Sequence, residues 1–273
     1  GEPWDMIINP AGVTQAVPLG SVLTLPATGS EMNPTAVITR QSLQAKLIFS
    51  NPVVYPRFSA LDPTTTYTLP AVQISNGVVD TFIHITEQYL TYPVEAKVQD
   101  RFAEGLLLTL VEEGPRALQE PENYDVRSNL MWCATLGLNG LIGSGVPQDW
   151  ATHIIGHEIT ALYGIDHAQT LAAVLPSLLQ VCKQGKRAKL LQYAERVWGI
   201  SEGNEDTRID AAINKTREFF ENMQIKTRLS DYNLTADSIP VLVDQLNKHG
   251  LVKLGEGEDI TPEVVQKILE LSL

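Results

Sequence analysis

Residues 150–168, with the sequence WATHIIGHEITALYGIDHA, hold three of the five histidines in the chain. His153 and His157 are four residues apart, so on a helix their imidazoles lie on one face about one turn apart. His167 follows Gly164, a residue type that ends helices and lets the chain reverse. Because histidine is the commonest metal ligand among side chains, this concentration predicts a metal site. The alternative is a buried helix whose histidines are satisfied by backbone carbonyls.

A second stretch earlier in the chain has the same spacing. In residues 76–88, NGVVDTFIHITEQ, Asp80 and His84 are four positions apart and therefore share a helical face. The residues around them are apolar, which predicts a helix that is buried nearly all round. A buried carboxylate and imidazole need partners because unpaired buried charge is unfavourable. A metal shared with the histidines of residues 150–168 would provide that compensation.

Two such helices together can offer one carboxylate and three imidazoles to a single ion. This mixed ligand set suits Zn²⁺ or Fe²⁺ and lacks the thiolates of a closed structural zinc site. The peptidase pattern HExxH is excluded, because Ala161 stands where a second histidine would have to follow His157. Spacing alone leaves open whether His157 or His167 is the last ligand. With room for a further ligand, the ion could polarise a carbonyl as a Lewis acid.

Composition limits the classes of partner. The 273 residues carry 20 Lys+Arg against 32 Asp+Glu, a net charge of −12, which argues against nucleic acid and against an anionic membrane. The chain contains two cysteines and no CxxC motif, so a reducing, cytoplasmic setting is expected. No apolar run approaches the ~18–20 residues that a membrane span requires, and no signal peptide is recognisable.

The chain divides into two parts by pattern. Residues 1–61 contain short β-branched or apolar runs at 21–25, 36–39 and 46–49, separated by turn-forming residues. Three short strands make a poor independent sheet, so this part is expected to be the edge of a larger domain whose beginning is absent. Residues 62–273 predict an all-helical domain and a mainly α fold. Apolar residues at helical spacing predict helices near 70–91, 95–112, 123–143, 147–164, 167–182, 186–198, 205–223, 235–249 and 261–271.

Weaker signals lie outside the two histidine-bearing stretches. The turn at residues 23–33 offers hydroxyls, a glycine and free backbone N–H groups after a strand, which can hold a phosphate or ribose. A plain polar turn explains it equally well. Lys46 can meet an anionic ligand, although most lysines are solvated surface charges. Asp166 is placed to cap the helix that follows it, and His249 is expected at a helix end or on the surface.

These motifs resemble a known family when they are taken together. LPATGSE at residues 25–31, NGVVDxxxH at residues 76–84, HxxxHE at residues 153–158 and DHA at residues 166–168 are similar to the iron-containing (group III) alcohol dehydrogenases. The likeness is greatest to the branch of NADPH-dependent butanol dehydrogenases and broad-range aldehyde reductases. The family fold implied is a nucleotide-binding domain followed by an all-helical domain like that of dehydroquinate synthase, with the metal between them.

The resemblance implies roles for individual residues. The implied metal ligands, for Fe²⁺ or Zn²⁺, are Asp80, His84, His153 and His167. His157 is then left beside the metal as a candidate in proton relay. The implied contacts with NADP(H) are Thr24 and Thr28 on the dinucleotide and Asn33 and Lys46 near the nicotinamide-side ribose or phosphates. The Gly-rich turn with which the family grips the pyrophosphate is not found before Gly20, so residues 1–61 are expected to be the remnant of the dinucleotide-binding domain.

The implied activity is hydride transfer between NADP(H) and short-chain aldehydes or alcohols. Two alternatives remain at this level. One is a lyase of the dehydroquinate synthase type, which the scarcity of basic residues disfavours because its substrate carries phosphate. The other is a non-catalytic, metal-binding helical module. An unpaired sheet edge in residues 1–61 can pair with a second copy, so a homodimer is a further expectation.

Overall fold

The computed structural model describes residues 2–273; Gly1, with which the expected N-terminal part begins, lies outside the described residues. With 58% helix and 7% strand, the structure confirms the mainly α fold class. The strands are β1 (Gly20–Val22), β2 (Thr35–Arg40), β3 (Ala45–Ser50) and β4 (Phe58–Ala60). The helices are α1 (Pro3–Ile8), α2 (Ala71–Tyr89), α3 (Lys97–Gln119), α4 (Tyr124–Leu138), α5 (Ala151–Tyr163), α6 (His167–Val181), α7 (Arg187–Arg196), α8 (Glu205–Asn222), α9 (Ser238–Lys248) and α10 (Pro262–Ser272).

The N-terminal part forms two small, separate sheets. β2 and β3 make an antiparallel hairpin in which Arg40 faces Ala45, and Gln44 adopts a left-handed conformation with φ of 49° at its turn. β1 pairs in parallel with β4. The strand expected at residues 21–25 ends at Val22, and neither β4 nor α1 was predicted. Both are too short for an alternating or helical pattern to stand out from the surrounding turns.

α2 is the central helix of the larger part. It begins after Pro70 and packs on α3, α4 and α6. Val79, Phe82, Ile83 and Ile85 are fully buried, which confirms that this helix is enclosed nearly all round. Phe82 also contacts the aromatic rings of α8. An amphipathic helix would expose one face, so the central position of α2 follows from its apolar residues.

Two helix ends differ from expectation. α3 continues past residue 112 to Gln119 through Gly114 and Pro115. A side chain at position 114 would collide with Val78, so glycine permits the close approach of α3 to α2 that keeps this segment packed. α4 ends at Leu138, earlier than predicted, because the chain turns through Gly140 with φ of 90°. Over residues 2–273, none of the helices has both the length and the apolar character needed to traverse a lipid bilayer.

The turn at residues 23–33 lies against the helical part. A Cβ at position 77 of α2 would come within 2.5 Å of the Pro26 carbonyl oxygen, so the approach requires Gly77. The Thr81 hydroxyl donates to the Ala27 carbonyl at 3.1 Å. The Thr135 hydroxyl on α4 donates to the Glu31 carboxylate at 2.5 Å. β4 adds two contacts: the Ser59 hydroxyl donates to the Glu31 carbonyl at 2.6 Å, and the Leu23 N–H donates to the Ala60 carbonyl at 3.0 Å. The turn is therefore held by α2 and α4 on one side and by β4 on the other.

Candidate metal centre

Three imidazoles converge on one carboxylate oxygen. Asp80 Oδ1 lies 3.8 Å from His84 Nε2, 3.7 Å from His153 Nε2 and 3.8 Å from His167 Nε2. Asp80 and His84 lie on α2, His153 lies on α5, and His167 is the first residue of α6. The two stretches singled out in the sequence therefore meet at a single point.

The reversal between α5 and α6 brings His167 back to His153. α5 ends at Gly164, which adopts the left-handed conformation with φ of 69°, and α6 begins three residues later. Asp166 occupies the N-cap position of α6, but the expectation that its side chain caps this helix is wrong. The Asp166 carboxylate accepts from the Asn76 amide of α2 at 3.3 Å, so it joins α6 to α2.

The donor atoms fit a divalent ion. Within the described residues, Asp80 Oδ1 and His153 Nε2 are buried and have no hydrogen-bond partner, an unfavourable state unless a ligand satisfies them. One ligand atom each from Asp80, His153 and His167 lie within 4.8 Å of one another. Bonds of about 2.0–2.2 Å around a tetrahedral ion place its ligand atoms about 3.4 Å apart, so small movements would close the site.

His84 differs from the other two histidines. Its ring stacks on that of His153, with centroids 4.4 Å apart and planes inclined by 22°. Its Nε2 is as close to Asp80 as the other two imidazoles, yet it falls outside the group whose ligand atoms are all mutually close. His84 therefore lies against the His153 ring, beside the group formed by Asp80, His153 and His167.

Burial and mutual charge set the protonation states of the cluster. Burial alone would raise the pKa of Asp80, but His84, His153 and His167 together hold it well below its usual value. Burial lowers the pKa of His84 to about 4 against the opposing attraction of Asp80, and it lowers the pKa of His167 as well. The pKa of His153 is raised to about 9, because the carboxylates of Glu87 and Asp80 outweigh its burial.

His157 lies beside the cluster and not in it. Its ring is 4.8 Å from that of His167 and 6.3 Å from that of His153, centroid to centroid. Burial, with the nearby charges of His153 and Lys46, lowers the pKa of His157 to about 3. His157 is therefore a neutral imidazole at physiological pH, able to accept a hydrogen bond at one ring nitrogen and donate one from the other.

Glu87 was missed by the sequence reasoning. It lies on α2 one turn beyond His84, is 2% exposed, and its carboxylate contacts the His153 ring. The available signal was the one used for Asp80: a carboxylate in an apolar, buried helix requires a partner. Its partner could not be found from spacing, since 66 positions separate the two residues.

The cluster forms part of the wall of a cleft of about 920 Å³. Thr28, Asn33 and Lys46 also line this cleft, whereas Thr24 is not among its lining residues. The Asn33 amide is already engaged, since it donates to the Thr28 carbonyl at 2.8 Å and accepts from the Thr35 backbone at 3.0 Å. Burial lowers the pKa of Lys46, and the charge of Asp80 opposes that shift.

The cleft is large enough for organic ligands and has one strained aromatic wall. Trp150, just before α5, has a left-handed backbone with φ of 63°, uncommon for a bulky residue. Its indole N–H donates to Gln148 at 2.9 Å, and its ring meets the edges of His84 and His153. Trp150 therefore separates the cluster from solvent on one side.

Comparison with known proteins identifies the family. A family model described as "Fe-containing alcohol dehydrogenase family, C-terminal" matches residues 74–273, and one described as "Iron-containing alcohol dehydrogenase" matches residues 2–63. The chain belongs to the iron-containing alcohol dehydrogenase family. This membership confirms the resemblance inferred from the sequence motifs.

Relatives within the family are close. The NADPH-dependent aldehyde reductase YqhD of Escherichia coli is 60% identical over 98% of this chain and 70% of its own length. The NADH-dependent butanol dehydrogenase B of Clostridium acetobutylicum is 35% identical over 100% of this chain and 71% of its own length. A crystal structure of E. coli YqhD superposes with a TM-score of 0.98 at 58% identity, covering 100% of this chain and 70% of that one.

Proposed function

We propose that this protein reduces short-chain aldehydes to alcohols, and catalyses the reverse reaction, with NADP(H) and a divalent metal. The observation that carries the proposal is the convergence of three imidazole nitrogens on the buried Oδ1 of Asp80 at 3.7–3.8 Å, in the wall of a cleft of about 920 Å³. Asp80, His84, His153 and His167 are the proposed metal ligands, with Fe²⁺ or Zn²⁺ as the ion.

The bound ion supplies Lewis acidity toward a carbonyl or alkoxide oxygen. The residues of this chain orient and protect the reacting groups. Trp150 and the apolar residues of the cleft limit the access of water to the cluster. His157, kept neutral by burial, takes part in proton exchange through its ring nitrogens, and this is its proposed role beside the ligands.

The cofactor is proposed to bind on the side of the cleft that the N-terminal part forms. Thr24 and Thr28 are proposed to contact the dinucleotide, with Asn33 and Lys46 near the nicotinamide-side ribose or phosphates. Lys46 is the strongest candidate, because it lines the cleft and carries a positive charge. The preference for NADP(H) over NAD(H) is supported by the relative with 60% identity, which is named as NADPH-dependent.

The test is a paired measurement of metal content and turnover. Protein loaded with Zn²⁺ or Fe²⁺ is expected to oxidise NADPH in the presence of butanal, and the variant Asp80→Asn is expected to lose both the metal and the turnover. Asp210→Asn, on α8 and paired with Lys183 away from the cluster, serves as the control that keeps both. Stoichiometric metal with bound NADPH and no turnover on any short-chain aldehyde would contradict the proposal.

The dehydrogenase is favoured over both alternatives. The 60% identity to an aldehyde reductase over nearly the whole chain leaves little support for a lyase or for a non-catalytic module. The division into a dinucleotide-binding part, residues 1–61, and a metal-binding helical domain, residues 62–273, is part of this proposal. A homodimer and a cytoplasmic location remain predictions.

A further inference from the structure

Glu87 makes an unusual set of contacts for one side chain. Its Oε2 meets Nδ1 of His153, and its Oε1 accepts the backbone N–H of Thr152 at 2.6 Å. Its own backbone carbonyl accepts the N–H of Asp149 at 2.9 Å. Glu87 therefore holds the segment that begins α5 at three residues, Asp149, Thr152 and His153, from a different helix.

These contacts replace an ordinary helix cap. Trp150 stands at the N-cap position of α5 and makes no side-chain cap hydrogen bond. The first free N–H groups of α5 are instead accepted by Asp149, which bonds to Ala151 at 2.9 Å, and by Glu87, which bonds to Thr152. A carboxylate at a helix N-terminus is favourably placed, so the same group that caps α5 also reaches His153.

The contact with Glu87 fixes the protonated nitrogen of His153. An ionised carboxylate can only accept hydrogen bonds, so Nδ1 of His153 must be a donor and carry the proton. The lone pair of the neutral ring then lies on Nε2, which is buried, has no partner among the described residues, and lies 3.7 Å from Asp80 Oδ1. A ring held in this way presents one defined nitrogen to an ion.

The other two histidines lack this support. Within the described residues, Nδ1 of His84 and Nδ1 of His167 are buried without a hydrogen-bond partner. The Ala27 backbone lies near the His84 ring, but among the described residues no carboxylate bonds either ring in the way that Glu87 bonds His153. The cluster is therefore asymmetric, with one imidazole oriented by a side chain from another helix and two that are not.

We propose that Glu87 is a positioning residue that holds His153 as the Nδ1–H tautomer and thereby preorganises the metal centre. The inference rests on the proposed function, because it takes His153 to be a metal ligand. It adds that the affinity for the metal depends on a carboxylate that does not touch the ion. Removing outer partners of this kind typically lowers metal affinity about 10–100-fold.

The test is the zinc affinity of Glu87→Gln in the whole protein, measured by competition with a chromophoric chelator. The amide keeps the size of the side chain, but Thr152 and His153 face different carboxylate oxygens, and in glutamine one of these becomes an NH₂ group that cannot accept. A 10–100-fold weaker affinity is expected. Glu104→Gln is the matched control: this buried carboxylate on α3 bonds to Tyr89 and Arg196 and not to the cluster, so its zinc affinity should equal that of the wild type.

A second readout separates positioning from general destabilisation. The ¹⁵N shifts of the His153 ring in the zinc-loaded protein should report a protonated Nδ1 and a metal-bound Nε2 in the wild type, and exchange or loss of this state in Glu87→Gln. Glu87→Asp, which keeps the charge at shorter reach, should restore part of the affinity if the variant with glutamine fails to fold. If Glu87→Gln bound zinc within twofold of the wild-type affinity, the role of Glu87 would be overturned and the proposed function would stand. A wild type that binds no zinc would overturn the proposed function as well.

Discussion

The helical part and the N-terminal part build their sides of the cleft in opposite ways. The helices that carry Asp80 and His153 bury most of their apolar side chains, with Val72 and Tyr163 exposed at their ends. In the N-terminal part, Val17, Phe58 and Ile8 are 87%, 68% and 66% exposed, and the strands are short. The metal side is thus held by its own packing. The cofactor side takes its position from contacts with the helices.

Those contacts are few and specific. The turn at residues 23–33 is held by the close approach of Gly77 to Pro26 and by the hydroxyls of Thr81 and Thr135. Changes in the metal cluster should therefore leave cofactor binding intact. Changes at the junction, the contacts between the turn at residues 23–33 and the helices, should disturb cofactor binding first.

The largest effect is expected from Asp80→Asn. Loss of the charge on which three imidazoles converge should weaken zinc binding and turnover on the order of a thousandfold, more than the 10–100-fold that outer partners cost. The Kd for NADPH should change less than threefold, because the proposed cofactor contacts lie on the other side of the cleft. Isothermal titration with each ligand measures both constants. Asp210→Asn, a half-buried aspartate on α8 that pairs with Lys183, is the control. A parallel loss of NADPH affinity would break the separation.

Zinc should stabilise the two parts unequally. At a hundredfold excess over its Kd, the ion should add about 2.7 kcal/mol to the free energy of unfolding. Hydrogen exchange should slow in α2, α5 and α6 and remain unchanged in β1 and β4.

The affinity for zinc should depend on pH. Because the pKa of His153 is raised to about 9 in the metal-free chain, zinc must displace one proton at neutral pH. The apparent affinity should therefore rise about tenfold per pH unit from 6.5 to 8.5. A pH-independent affinity would contradict this assignment.

Lys46→Ala should have a smaller effect than Asp80→Asn, and this effect should fall on the cofactor and not on the metal. If Lys46 donates to a phosphate or ribose of the cofactor, its loss removes about 1.5–3 kcal/mol and raises the KM for NADPH roughly 10–100-fold. Zinc content should not change. Lys215→Ala, an exposed lysine on α8, should match the wild type in both measurements. Zinc loss without a change in KM would show that Lys46 serves the metal side instead.

The same contrast explains what the sequence could predict. Asp80 and His84, like His153 and His157, are four positions apart in apolar stretches, and this local pattern predicted that each pair shares a buried helical face. Because buried charge needs a partner, the same pattern predicted that the two helices meet. The contact of Glu87 with His153 joins residues far apart in sequence, and no periodic pattern encodes it. Thr24 and Asn33 were chosen by resemblance in a turn whose conformation depends on α2 and α4. In the structure Thr24 does not line the cleft, and the Asn33 amide is bonded within the turn itself.

The smallest effect, and the most direct probe of the junction, is expected from Gly77→Ala. The new Cβ would lie 2.5 Å from the Pro26 carbonyl oxygen, a distance that requires the turn or α2 to shift. Overpacking of this kind costs about 1–3 kcal/mol, partly offset by the better helix propensity of alanine. Urea unfolding should report the loss, and the KM for NADPH should rise while zinc affinity stays within a few-fold.

Gly105→Ala is the matched control for Gly77→Ala, because it lies in helix α3 with nothing within 4 Å of the added Cβ. It should raise the free energy of unfolding by about 0.5–1 kcal/mol and leave both ligands unaffected. If Gly77→Ala instead weakened zinc binding as much as NADPH binding, the shift would have passed along α2 to Asp80, one turn away. The two sides of the cleft would then be coupled through that helix, and the N-terminal part could not be treated as a separately held surface.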